Sequence, residues 1–172
     1  MQVARKHRPL FSPRVSASFP SLSLCLSGGL LWAAGMGLSA CFSLWLHYRL
    51  VNLYSDKIII LFVMGAFVSF PFSLFFADFF SVGRRTETRF AAAFLSLSVC
   101  TIAMTAFIFS QQYRLFYTEW RDGMSFAFWL KEAIPASASA VYQFLVSGVR
   151  LYLPFGLIQL ILFSVWLTRH TR

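Results

Sequence analysis

Apolar residues in this chain come in four long blocks, separated by shorter stretches where basic residues, prolines and glycines collect. The blocks run from about Leu22 to Leu46, Ile58 to Phe80, Phe90 to Ser110 and Leu151 to Thr168. A helix rises about 1.5 Å per residue, so about 20 mostly apolar residues cross the ~30 Å hydrocarbon core of a bilayer. The pattern therefore predicts four transmembrane helices. The fourth, "LYLPFGLIQLILFSVWLT", is the shortest and is expected to stand with little tilt.

Residues 111–150, between the third and fourth blocks, show a different period. In "MSFAFWLKEAI", Phe126, Trp129, Leu130, Ala133 and Ile134 recur at helical spacing, with Lys131 and Glu132 off that face. Asp122 is placed to cap this segment and Pro135 to stop it. From Ser137 on, Val141, Phe144, Leu145, Gly148 and Val149 share one side, with Gln143 and Arg150 on the other. Two short amphipathic helices on the outer membrane face are expected. The alternative is a re-entrant pair dipping towards a cavity, which needs protein or water around irregular backbone. The predicted fold class is thus an all-α integral membrane protein. A four-helix membrane domain over 22–168 is flanked by a basic tail at 1–21, expected to be disordered, and a short C-terminal tail at 169–172.

Composition supports the class. Of 172 residues, 58% are hydrophobic and 12% charged, against roughly 25% charged in an ordinary soluble domain. A net charge of +9 would point to nucleic acid in a soluble protein. Here the basic residues flank the apolar blocks, and no basic face with interleaved aromatics stands clear of them, so nucleic acid is not an expected partner. They serve instead as topology signals and contacts to anionic membrane lipids. The N-tail (Arg5, Lys6, Arg8, Arg14), the second connection (Arg84, Arg85, Arg89) and the C-tail (Arg169, Arg172) put nine on one side. Six lie on the other: Arg49, Lys57, Arg114, Arg121, Lys131 and Arg150. Four crossings with both termini cytoplasmic satisfy the positive-inside rule, and Tyr48, Tyr54, Tyr113, Tyr117, Trp120 and Tyr152 then crowd the outer interface. A bacterial inner membrane is the expected setting. The mitochondrial inner membrane is the alternative, because the acid-free, Arg- and Ser-containing tail resembles a transit peptide, although Pro9, Pro13 and Pro20 break the helix such a peptide needs.

Small residues recur every fourth position in three blocks: Gly29, Ala33, Gly37 and Cys41; Gly65, Ser69, Ser73 and Ala77; Ala92, Ser96 and Cys100. Such rows let helix backbones approach closely, so the first three helices are expected to pack through them. Asp78, the acid in "FFADFF", falls near the cytoplasmic end of the second helix, where Arg84 or Arg85 is expected to pair with it. A proton or cation site at Asp78 is the competing possibility. Pro71 frees the carbonyl of Phe67 and predicts a kink. Pro154 falls in the first turn of the last helix, where a missing N–H costs little. Gln159 requires a hydrogen-bond partner within the bundle or across an oligomer interface.

Other chemistry is sparse. Cys25, Cys41 and Cys100 show no metal spacing and no CxxC. His7, His47 and His170 cannot face each other in pairs, which argues against a bis-histidine haem. Glu119 and Asp122, with Arg121 between them, read as solvated loop charges. "LSAC", Leu38 to Cys41, resembles a bacterial lipobox, and cleavage there would leave Cys41 lipidated. The apolar run continues through "FSLWL", whereas cleaved signals end with the run, so a span is preferred. No cofactor is implied. The expected function is that of a non-enzymatic subunit or accessory factor, acting through contacts with another membrane protein or a second copy of itself. An oligomeric small-solute or proton-coupled transporter or channel using Asp78 comes second, and a membrane-embedded enzyme third.

Overall fold

The structure, a computed structural model, describes residues 21–46, 55–81, 83–118, 126–153 and 155–170, and the side chains within these except at 115–118, 126–133 and 170. The expectations for the tail at 1–20, for His47, Tyr48 and Tyr54, for Glu119 to Asp122, for Pro154 and for 171–172 lie outside the described residues, as do the side chains of Phe126 to Ala133 and of Tyr117 and His170.

Among the described residues the fold is all-helical: α1 (Leu22–Leu46), α2 (Ser55–Ser81), α3 (Thr86–Thr118), α4 (Phe126–Gln143) and α5 (Phe155–His170). A five-residue π segment (Phe144–Gly148) and a 3-10 turn (Val149–Tyr152) continue α4. Three helices, Leu22–Leu46, Ser55–Ser81 and Thr86–Arg114, are long and apolar enough to cross a membrane. Their length and apolar character fit an integral membrane protein. Ile134–Tyr152 and Phe155–Arg169 meet that criterion as a pair, bent by 78° at the break between them. By itself α5, with 16 residues, reaches about 24 Å and is too short to span.

The first three helices form consecutive antiparallel hairpins, with α2 packed on both α1 and α3. Gly83, at φ +72°, reverses the chain after α2, a conformation that costs glycine no Cβ clash. Glu87 in the first turn of α3 complements the helix dipole. At its other end α3 outruns the apolar block that predicted it, and Arg114 Nη1 donates to Gln111 Oε1 (3.3 Å) on that polar turn. Helix α2 runs through Pro71 without ending.

The connection after α3 corrects one expectation. Pro135 does not stop a helix there; α4 runs through it, and no separate second helix begins at Ser137. A proline removes one backbone bond and crowds the preceding turn, but packing of the same segment outweighs that. Beyond the proline, Ala140 and Phe144 are buried, and the Phe144 ring lies 5.9 Å from Phe62 and 6.0 Å from Phe109. The helix breaks instead after Tyr152, where the 3-10 turn ends in extended backbone at Leu153.

The core holds Trp32, Phe62, Phe70 and Leu97, none with any appreciable exposure. Glycines make room for it at the α1–α2 crossing: Gly28 and Gly29 lie against Phe70 and Phe67, and Gly37 against Val63. Gly65 does the same for Thr105 of α3. Ala33, Ser69, Ser73, Ala77, Ala92 and Ser96 are buried, while Cys41 and Cys100 are half-buried.

Candidate functional site

Two hydroxyl chains run through the middle of the bundle. The Trp32 indole N–H, which can only donate, reaches Thr101 Oγ1 at 3.1 Å. Ser69 spends its proton on the Ala66 carbonyl (2.8 Å), so the Thr101 hydroxyl must donate to Ser69 Oγ across 3.1 Å. In the second chain Thr105 donates to the Thr101 carbonyl (2.8 Å), which leaves the Tyr152 phenol as donor to Thr105 Oγ1 (2.8 Å). Every proton thus has a determined direction, and both chains end on helix carbonyls. Such an arrangement ties α1, α2, α3 and the 3-10 turn together; it does not pass protons onward.

The break before α5 is stitched by one side chain. Helix ends leave carbonyls and amides without partners, and in an apolar interior each such group is costly. Ser39 Oγ donates to the Tyr152 carbonyl (2.9 Å), lies 3.4 Å from the Leu151 carbonyl, and accepts the Gly156 amide (3.1 Å). One hydroxyl on α1 therefore serves the end of one helix and the start of the next. One turn deeper along α5, Gln159 Nε2 donates to the carbonyls of Trp32 (3.0 Å) and Leu31 (3.3 Å). Gly35 makes that possible, because a Cβ there would collide with the Gln159 amide.

Above the break an open-sided cavity of about 620 Å³ is enclosed by α1, α2, α3 and the π and 3-10 segments. Ser43, Ser55, Gln143, Ser147 and Arg150 contribute polar groups, and Phe62, Phe109 and Phe144 are among its apolar walls. Tyr152 lies beneath, its ring 4.8 Å from that of Phe62. A smaller cleft of about 270 Å³, almost wholly apolar, lies on the other side of Tyr152 between α1, α3 and α5.

Asp78 sits at the opposite end of the bundle from this cavity. It is half-buried and lines a minute space with Ser81, Arg89, Ala93 and Thr168. The cation whose charge acts on it is Arg89. Arg84 and Arg85, the partners expected from sequence, are exposed. The turn at Gly83 carries them outward, and Arg89 on the first turns of α3 faces back towards α2. The lipobox-like Leu38–Cys41 lies inside unbroken α1; cleavage before Cys41 would remove Trp32, Gly35 and Ser39 from the network. No cluster of His, Cys, Asp and Glu suited to a metal occurs among the described residues.

The sequence pattern singles out Ser69 and Gln159 but not Trp32, Gly35, Ser39, Thr101 or Thr105, and it assigns Tyr152 to the outer interface, whereas that ring is buried with its hydroxyl on Thr105. Hydroxyls one or two turns apart in an apolar helix were the available signal. Comparison with protein families, curated proteins and solved structures yields no match for this chain.

Proposed function

We propose that this is a four-crossing membrane protein, with the bent α4–α5 pair as the last crossing, that serves as a non-enzymatic accessory subunit of a membrane complex. Both termini are placed in the cytoplasm of a bacterial inner membrane, following the distribution of Lys and Arg. The observation that carries the accessory role is a phenylalanine ridge on the outward side of α2. Phe72, Phe76 and Phe80 are 50%, 41% and 58% exposed, and the rings of Phe76 and Phe80 stack at 6.3 Å. Lipid offers no hydrophobic gain for helix association, so contacts depend on shape. Rings with two side-chain torsions each, two of them already stacked, lose little entropy when a partner helix meets them.

The small-residue rows are poor candidates for this role, because all their members except the half-buried Cys41 and Cys100 are buried in the chain's own bundle. A bulky change at Ala33 therefore tests folding, not association. The informative experiment is mild solubilisation through a C-terminal tag, with the native mass compared between the parent protein and a Phe72→Leu/Phe76→Leu/Phe80→Leu variant. A stoichiometric second subunit that the variant loses supports the proposal. Retention of that subunit by the variant would remove the ridge from the interface.

A transporter formed by oligomerisation is the second reading, favoured by the helix break and the cavity above it. Its difficulty is placement: buried Phe62 and Phe70 separate the cavity from Asp78. If flux in reconstituted vesicles survives Asp78→Asn, that residue has no part in it.

A further inference from the structure

We propose that the 620 Å³ cavity binds an anionic amphiphile, with its acidic group on Arg150 and its apolar body on the Phe62, Phe109 and Phe144 walls. The proposal rests on the membrane placement given above and not on the accessory role. Depth is the first argument. Counted from the middle of α2 (Ser55–Ser81), Phe62 stands about 9 Å and Ser55 about 20 Å towards the cavity end. The boundary between hydrocarbon and headgroups lies about 15 Å from a bilayer's centre. The floor of the cavity therefore lies at acyl-chain depth and its rim at headgroup depth. A molecule that fits both levels has a polar end and an apolar end, oriented as a lipid is.

Charge is the second argument. Among the described lining residues Arg150 is cationic and none is acidic, while Gln143 and Ser147 add neutral hydrogen-bonding groups beside it. A guanidinium presents a planar fork that suits carboxylate and phosphate oxygens. Volume is the third. Ligand pockets commonly measure about 300–1,000 Å³ with mostly apolar walls and a few placed polar groups. This cavity suits a headgroup with the first part of one chain, or a single-chain acid. Both sources share the chemistry of an anion on an apolar stem.

The test uses the full chain, delipidated in neutral detergent, with native mass spectrometry reading one-to-one adducts. Phosphatidylglycerol and phosphatidylcholine of identical chains isolate headgroup charge, and dodecanoate against dodecanol does so for a water-borne amphiphile. At least tenfold preference for the anion in either pair upholds the site, and the pair showing it names the source. Arg150→Gln is expected to abolish the preference and Arg150→Lys to keep part of it; Arg150 is exposed, so neither should disturb folding. Ser147→Trp, which fills the cavity, should remove the adduct with helix content unchanged. Equal binding of charged and neutral members, or a preference that survives Arg150→Gln, would overturn the proposal. Membrane placement is read separately, by resistance of the parent protein to alkaline extraction from membranes.

Discussion

Replacing Ser39 by alanine removes one oxygen atom from a fully buried position, and the structure assigns that atom an unusual share of the fold. It accepts the Gly156 amide and donates to the Tyr152 carbonyl, at 3.1 and 2.9 Å. A side-chain bond between membrane helices contributes about 0.6 kcal/mol on average and up to about 1.7. Here both partners are backbone groups at helix ends, with no ladder to return to, and leaving such a group buried and unsatisfied costs about 1–3 kcal/mol. Alanine recovers about 0.5 kcal/mol in helix propensity on α1. The net loss should be about 2–3 kcal/mol. Ser164 supplies the control: it is equally buried, but its hydroxyl donates to the Leu160 carbonyl of its own helix (2.7 Å). That carbonyl keeps its ladder partner, so Ser164→Ala should be near neutral. Unfolding titrated in mixed micelles, with hydrogen exchange at the Gly156 amide, compares the two variants. Ser39→Ala should unfold earlier and exchange Gly156 faster. Equal stability of the two variants would refute the claim that Ser39 holds the break.

The remaining predictions concern neighbouring contacts. Tyr152→Phe and Thr105→Val should couple by about 1 kcal/mol in a double-mutant cycle, since each removes one partner of the same bond; additive losses would mean that the bond contributes nothing. Gly65→Ala places a Cβ 2.9 Å from the Thr105 Cα, and backbone cannot rotate away, so α2 and α3 must separate at a cost of about 3 kcal/mol. Gly35→Ala meets only the end of the Gln159 side chain and should cost about 1 kcal/mol, a loss that disappears in a Gln159→Leu background. Thermal unfolding in detergent separates these two cases. Arg89→Gln should destabilise by about 1 kcal/mol when Asp78 is present and by less in an Asp78→Asn background, whereas Arg84→Gln should be silent. A silent Arg89→Gln would return the pairing question to the loop arginines.

Hydropathy made α1 legible to the residue, at Leu22–Leu46, and located α2 within three residues at either end. It reads length well because lipid and helical partners both demand apolar surface. For the same reason it says little about which way a helix faces: Leu30 and Leu38 point outward while Trp32 and Met36 are buried, and an average over a window does not separate them. Recurrent small residues added part of the missing orientation, since a Gly at every fourth position marks a line of close approach whatever the partner.

The apolar blocks alone marked an all-helical chain with long helices compatible with a membrane, and they located α1 and α2 closely. The pattern of four separate spans is not what the described residues show: three helices are long enough by themselves, and α3 runs past its apolar block. Tertiary structure decided the rest. Pro135 continued a helix where its chemistry predicted an end, because burial of Ala140 and Phe144 outweighed one lost backbone bond. Asp78 and Arg89 border one small space although Arg84 and Arg85 are nearer in sequence, because helix geometry and not sequence distance governs which residues face each other. The hydroxyl network joins Trp32 to Thr101 and Ser39 to Gly156, 69 and 117 residues apart. Hydrogen bonds need alignment within a few tenths of an ångström. Only the mutual rotation and register of packed helices set that alignment, and no local pattern along the chain encodes it.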